Sequence, residues 1–186
     1  MRKAICALLA IPALLLTVLS GTASAHTVKA TFEYHVGDAV LQAMGFPVGN
    51  QAVAPNGDVV TIVATGTFDA ATGAASGGGT FSHHVAATGQ TITGTFVATG
   101  LISFQSYGDA TPEGLPASFY GGKVLLRIVA TPDAAPDLHL AATLTIECEL
   151  GVPPSGTVEG VRVNVYDVIN FNKSVPESGA NIYVRL

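Results

Sequence analysis

Val28-Lys29-Ala30-Thr31-Phe32-Glu33-Tyr34-His35-Val36 alternates without a break, with every even position apolar and every odd one polar or charged. In an extended chain successive side chains point to opposite faces, so this stretch sets one row against a core and the other in water. The same period returns in Leu144, Ile146, Cys148 and Leu150 against Thr143, Thr145, Glu147 and Glu149. It returns again in Val161, Val163 and Val165 against Arg162, Asn164 and Tyr166. Each run reads as a half-buried strand.

Further strand candidates are residues 59–68, 79–86, 91–107, 123–131 and 180–186. The run 91–107 is too long for one straight strand, and Gly94 and Gly100 are the natural places for a bulge or corner. Turn chemistry separates the runs: Pro55-Asn56-Gly57-Asp58, Asp69 to Gly73, Pro132-Asp133, and Val152 to Gly156. The Gly77-Gly78-Gly79 run precedes β sequence and not a helix, so it reads as a hairpin or bulge and not as a phosphate loop. One helical turn is expected at 38–44, with Asp38 as its cap. Strands at short intervals without helical spacers indicate an all-β domain, a single antiparallel β-barrel or β-sandwich of about eight to ten strands.

The chain of 186 residues is 48% hydrophobic and only 11% charged, with a mean hydropathy of +0.47. Its start accounts for part of this. Arg2 and Lys3 precede an apolar run from Ala4 to Leu19, and Ala23-Ser24-Ala25 supplies the small residues of a cleavage site. Residues 1–25 therefore read as a signal peptide and residues 26–186 as one domain, secreted or periplasmic. No later run is long and apolar enough to span a bilayer. Without Arg2 and Lys3 the balance is six basic against thirteen acidic residues, a net charge of −7. No basic cluster exists beyond the signal, which argues against nucleic acid and anionic membranes as partners. Cys6 leaves with the peptide, so Cys148 has no intramolecular partner and the fold relies on its core.

Motifs for catalysis are missing: no Gly-x-Ser-x-Gly elbow, no His-Glu-x-x-His, no paired-cysteine metal site. Cys148 alternates with Ile146 and Leu150, which places it on the apolar face as an inert thiol. Glu147 and Glu149 share a face and read as solvent-exposed. His84 falls with Ser82 and Thr80 on a polar face; His83 falls with Phe81 and Val85, as a partly buried, hydrogen-bonded ring. His139 falls on the side of Thr143 and Thr145.

Cleavage before His26 would free an α-amine next to an imidazole, the arrangement of a copper brace. In that one residue the mature start resembles lytic polysaccharide monooxygenases and small exported copper carriers, which makes copper an alternative cofactor at His26. Otherwise no cofactor is expected.

Six blocks beside these carry a wider resemblance: Ala75 to Phe81, Leu101-Ile102-Ser103-Phe104-Gln105-Ser106-Tyr107-Gly108, Gly121 to Val124, Ile146 to Cys148, Val158 to Val161, and Asn170-Phe171-Asn172. Through them the chain resembles a group of exported bacterial all-β proteins without an assigned function. The Gly77 to Phe81 and Ala98 to Leu101 pattern is similar to the allene oxide cyclase and dirigent type of β-barrel.

Three expectations follow. The first is a non-catalytic binding or structural protein, with an interior filled by Phe32, Phe81, Phe96, Ile146 and Val163 and no sizeable pocket. The second is a small-ligand-binding barrel with allene oxide cyclase or dirigent-like activity, whose cavity would gather Gln105, Tyr107 and Asn170. The third is copper at His26. The missing motifs lean against an enzyme and leave that question open; the partner is a small molecule, a protein or a second copy of the chain.

Overall fold

Threonine, valine and isoleucine dominate the alternating runs, and their branched side chains fit the pleated surface of a sheet better than a helix. In the computed structural model, which describes residues 29–186, they form an all-antiparallel sheet of eleven strands. In chain order these are β1 (Thr31–Val36), β2 (Asn50–Val53), β3 (Val59–Asp69), β4 (Ala75–His84), β5 (Thr91–Asp109), β6 (Phe119–Pro132), β7 (Leu140–Cys148), β8 (Gly160–Val165), β9 (Ile169–Phe171), β10 (Lys173–Ser174) and β11 (Asn181–Arg185). The expected helical turn is α1 (Ala39–Ala43), with Asp38 Oδ1 accepting from the amides of Val40 at 3.1 Å and Leu41 at 3.3 Å. No helix among the described residues is long and apolar enough to cross a membrane.

The pairings return to their start. β3 bonds β1, β1 bonds β11, β11 bonds β6, β6 bonds β5, β5 bonds β4, and β4 bonds β3 again. β3 and β6 are long enough to carry a second set of neighbours at their other ends. There β3 pairs with β2, and β6 leads through β7 to β8 and β9. β10 follows β9 after one residue and bonds β2, so the segment 169–174 bridges that end. The result is a barrel-like ring whose interior is reached by alternate residues of every strand.

The turns fall where their chemistry placed them. Gly57 adopts φ +89° in the tight β2–β3 connection, which an L side chain would resist. β5 runs for 19 residues and breaks register at Ala98/Gly100, Leu101/Ser103 and Ser106/Gly108. Gly100 is thus at a bulge as expected, but Gly94 is in plain register with Pro132. Gly77 to Gly79 form no hairpin either. They lie inside β4, where a Cβ on Gly78 or Gly79 would run into the carbonyls of Phe96 and Val63. Their role is close approach of three strands.

The ring is filled unequally. Toward β1 and β11 it holds an aromatic cluster: Phe32, Phe68, Phe104, Tyr120 and Tyr183, with centroids from 4.8 Å (Phe68–Phe104) to 5.7 Å (Phe68–Tyr183) apart. Such tilted and edge-on pairs add to the area they bury. Phe32, Phe96, Ile146 and Val163 are buried as expected, while Phe81 is only half-buried. Cys148 is fully buried, and burial pushes its thiol far above the ordinary range, which leaves it inert.

Candidate functional site

Phe81 is half-buried because the opposite end of the ring is hollow. A cavity of about 440 Å³ opens there, between the walls supplied by Val60 and Ile62 of β3, Ile128 and Ala130 of β6, and Val163 and Val165 of β8. The expectation of an interior without a sizeable pocket fails at this point, and the reason is side-chain size. Here the lining is mainly Val, Ile, Leu and Ala, with Phe81, Phe96 and Phe171 standing singly among them, and these groups leave the middle unfilled. Leu138 and Val168, which are 46% and 63% exposed, stand at the lining's solvent side.

Of the side chains that line this cavity only Asn56, Asp58 and His83 are polar. Asp58 ends the β2–β3 turn and His83 lies near the end of β4. Register brings them together, because β3 and β4 pair Val60 with His83. His83 Nε2 lies 2.8 Å from Asp58 Oδ2, and Asp58 Oδ1 accepts the amide of Ala86 at 3.0 Å. The bond to His83, and after it the Ala86 amide, hold the Asp58 carboxyl below its ordinary range against the opposing effect of burial. The His83 ring packs edge-on to Phe171 at 5.1 Å. His83 is therefore the partly buried, hydrogen-bonded histidine that strand alternation implies.

Gln105 and Tyr107 lie elsewhere, on the outside of the ring, in a groove of about 330 Å³ with Lys123, Glu147 and Arg162. The bulge at Ser106/Gly108 re-aims Tyr107 beneath the segment 154–158. Its phenol donates to Glu147 Oε1 at 2.8 Å, Arg162 Nη1 donates to Oε2 at 2.9 Å, and Lys123 Nζ stands 3.6 Å from Oε2. Glu147 is thus not on an open strand face as its alternation suggests. It is 4% exposed, because the connection after β7 folds back over it, while Glu149 remains exposed. Burial alone would raise the Glu147 carboxyl, but the Tyr107 and Arg162 hydrogen bonds and the two cations outweigh it and lower it. Burial and then Glu147 push the Tyr107 phenol up to about 12. Tyr107, Arg162 and Lys123 are thus already gathered on Glu147.

Asn170 does not join Gln105 and Tyr107. It pairs with Asn164 across β8 and β9 and is exposed, whereas its neighbours Ile169 and Phe171 line the apolar cavity. Alternation turns the asparagine outward. His84 is exposed, and so is His139, whose Nδ1 is 3.1 Å from Thr131 Oγ1. His35 Nδ1 is bound at 2.6 Å to Asp38. His26 lies outside the described residues, and among those described no group of three or more His, Cys, Asp or Glu is placed to hold a metal.

Sequence reasoning missed Asp58 as a site residue. Its only local signal is a turn motif, and its partner is 25 positions away. Compared with protein-family models, with curated proteins and with solved structures, the chain matches none.

Proposed function

We propose that the protein binds a small, mainly apolar molecule inside the ring and acts, after export, as a non-catalytic binding protein outside the cytoplasm. The observation that carries this reading is the cavity of about 440 Å³ with three polar side chains in its wall. Protein interiors pack to the density of organic crystals, so an apolar hollow of this size at the end of an otherwise filled ring is a site and not slack. Its volume falls within the range of about 300–1,000 Å³ in which small-molecule pockets lie, and its lining of many apolar groups around a few polar ones is their usual composition. The likeness to cyclase and dirigent barrels adds a barrel with an internal ligand to the same reading. The outer groove supports it less, because Glu147 is already fully engaged.

The test is fluorescence titration with N-phenyl-1-naphthylamine, an apolar dye that brightens on leaving water. The wild-type chain should bind it, and Val165→Phe, which puts a ring into the cavity wall, should weaken binding by about tenfold or more through lost space. A folded wild-type protein that leaves the dye dark, or a Val165→Phe variant that binds as before, would overturn the reading.

A further inference from the structure

We propose that the cavity selects a neutral, otherwise apolar molecule bearing one hydroxyl group, and that this hydroxyl donates to Nδ1 of His83. The inference rests on the ligand-binding reading and names its ligand class.

It begins with Asp58. Both carboxylate oxygens are engaged, Oδ2 with His83 Nε2 and Oδ1 with the Ala86 amide, and the carboxyl is held in its ionised form. An ionised carboxylate only accepts, so Nε2 must carry the proton of that bond. In the neutral ring Nδ1 is then a bare acceptor. It has no hydrogen-bond partner among the described residues. His35 shows the alternative arrangement: its Nδ1 is 2.6 Å from Asp38 and its Nε2 3.6 Å from Glu33, so both of its nitrogens face carboxylates. His83 has one nitrogen committed and one open, in the wall of an apolar cavity.

The remaining chemistry excludes other head groups. A pure hydrocarbon would cover Nδ1 without a partner, and a buried acceptor left unpaired is unfavourable. An ether brings a second acceptor. A carboxylate or phosphate would meet Asp58 with no Lys or Arg in the lining to balance it. An ammonium would lose its water in a lining whose single carboxylate is already shared between the His83 ring and the Ala86 amide. A hydroxyl supplies the missing donor at little desolvation cost.

Displacement of bound N-phenyl-1-naphthylamine from the full exported chain separates these cases, with 1-nonanol, its methyl ether, nonanoate and nonylamine as competitors. Nonanol should displace the dye at about tenfold lower concentration than the ether, the value of one hydrogen bond made against one acceptor left bare. His83→Phe should still bind the dye and should bring nonanol and the ether to the same midpoint. Asp58→Asn keeps the ring but no longer fixes its tautomer, and should narrow the gap. Equal midpoints in the wild type, a charged competitor that outperforms nonanol, or a gap that survives in folded His83→Phe would each overturn the inference while dye binding leaves the cavity reading standing. If circular dichroism shows His83→Phe unfolded, an undiminished gap in Asp58→Asn overturns it instead. Failure of the dye to bind the folded wild type removes the cavity reading itself.

Discussion

The two ends of the ring interior share β3, β4, β5 and β6 and differ in what those strands point inward. Toward β1 and β11 the inward residues include Phe68 and Phe104, which meet Phe32, Tyr120 and Tyr183 and leave no space. Toward β2 and β8 they are mostly Val60, Ile62, Ile92, Ile128 and Ala130, with the rings of Phe81 and Phe96 set in the wall, and a hollow remains. One backbone pattern therefore supports both a packed core and a container, and residue volume decides which. The carboxylates differ in parallel. Glu147, outside the packed end, is shared among the side chains of Tyr107, Arg162 and Lys123, whereas Asp58, at the hollow end, holds one backbone amide and one ring that retains an open nitrogen.

The comparison breaks most sharply at Phe68. It is 1% exposed, and Phe68→Ala should cost about 3–5 kcal/mol in a thermal or denaturant melt, as expected for removing a buried ring from a packed site. Dye binding by the fraction still folded should not change; a loss of binding matching the loss of stability would show that the two ends do not act separately. Glu147→Ala should cost somewhat less, about 2–3 kcal/mol, since it leaves Arg162 and the Tyr107 phenol without their acceptor while both cations retain some access to water. A melt within about 0.5 kcal/mol of wild type would show that the groove network contributes nothing.

Acid should act on both ends with the same sign. The Asp58 and Glu147 carboxyls are lowered in the folded state, so their contribution is present in full above the unfolded value near 4 and is lost as pH falls through the folded values. Melting temperature should decline below about pH 4, and Asp58→Asn should decline less steeply than wild type. Equal slopes would remove Asp58 from the acid response. The smallest effect belongs to Asn170→Ala, on the outward face of β9. Stability should stay within about 0.5 kcal/mol and dye affinity should be unchanged.

The strands were legible because period two is a local property. Residues 28–36 show it without any partner, and the turns at Asn56-Gly57 and Pro132-Asp133 punctuate it. β2, β9 and β10 were not legible, since strands of four, three and two residues carry too few alternations to register. The site was half legible. Alternation assigned His83 its partly buried ring, but its meeting with Asp58 depends on the register of β3 against β4, and the hollow depends on side-chain volumes summed across seven strands. Tyr107 and Gln105 share one groove and Asn170 does not join them, because a bulge and a single alternation step decide which way each one faces.

The pairing of β1 with β11 closes the ring by joining Phe32 to Arg185, nearly the full described length of the chain. Loop closure slows the formation of such a contact, so the hairpins β3–β4–β5–β6 are expected to assemble first and the seam to close last. Until then β3 and β6 present unpaired backbone along sequence with few charges, the condition under which strands recruit strands from other molecules. A chain of this kind is most vulnerable in the interval between emergence of its first strand and capture of its last. Its yield should depend on how quickly that interval passes more than on the stability of the finished ring.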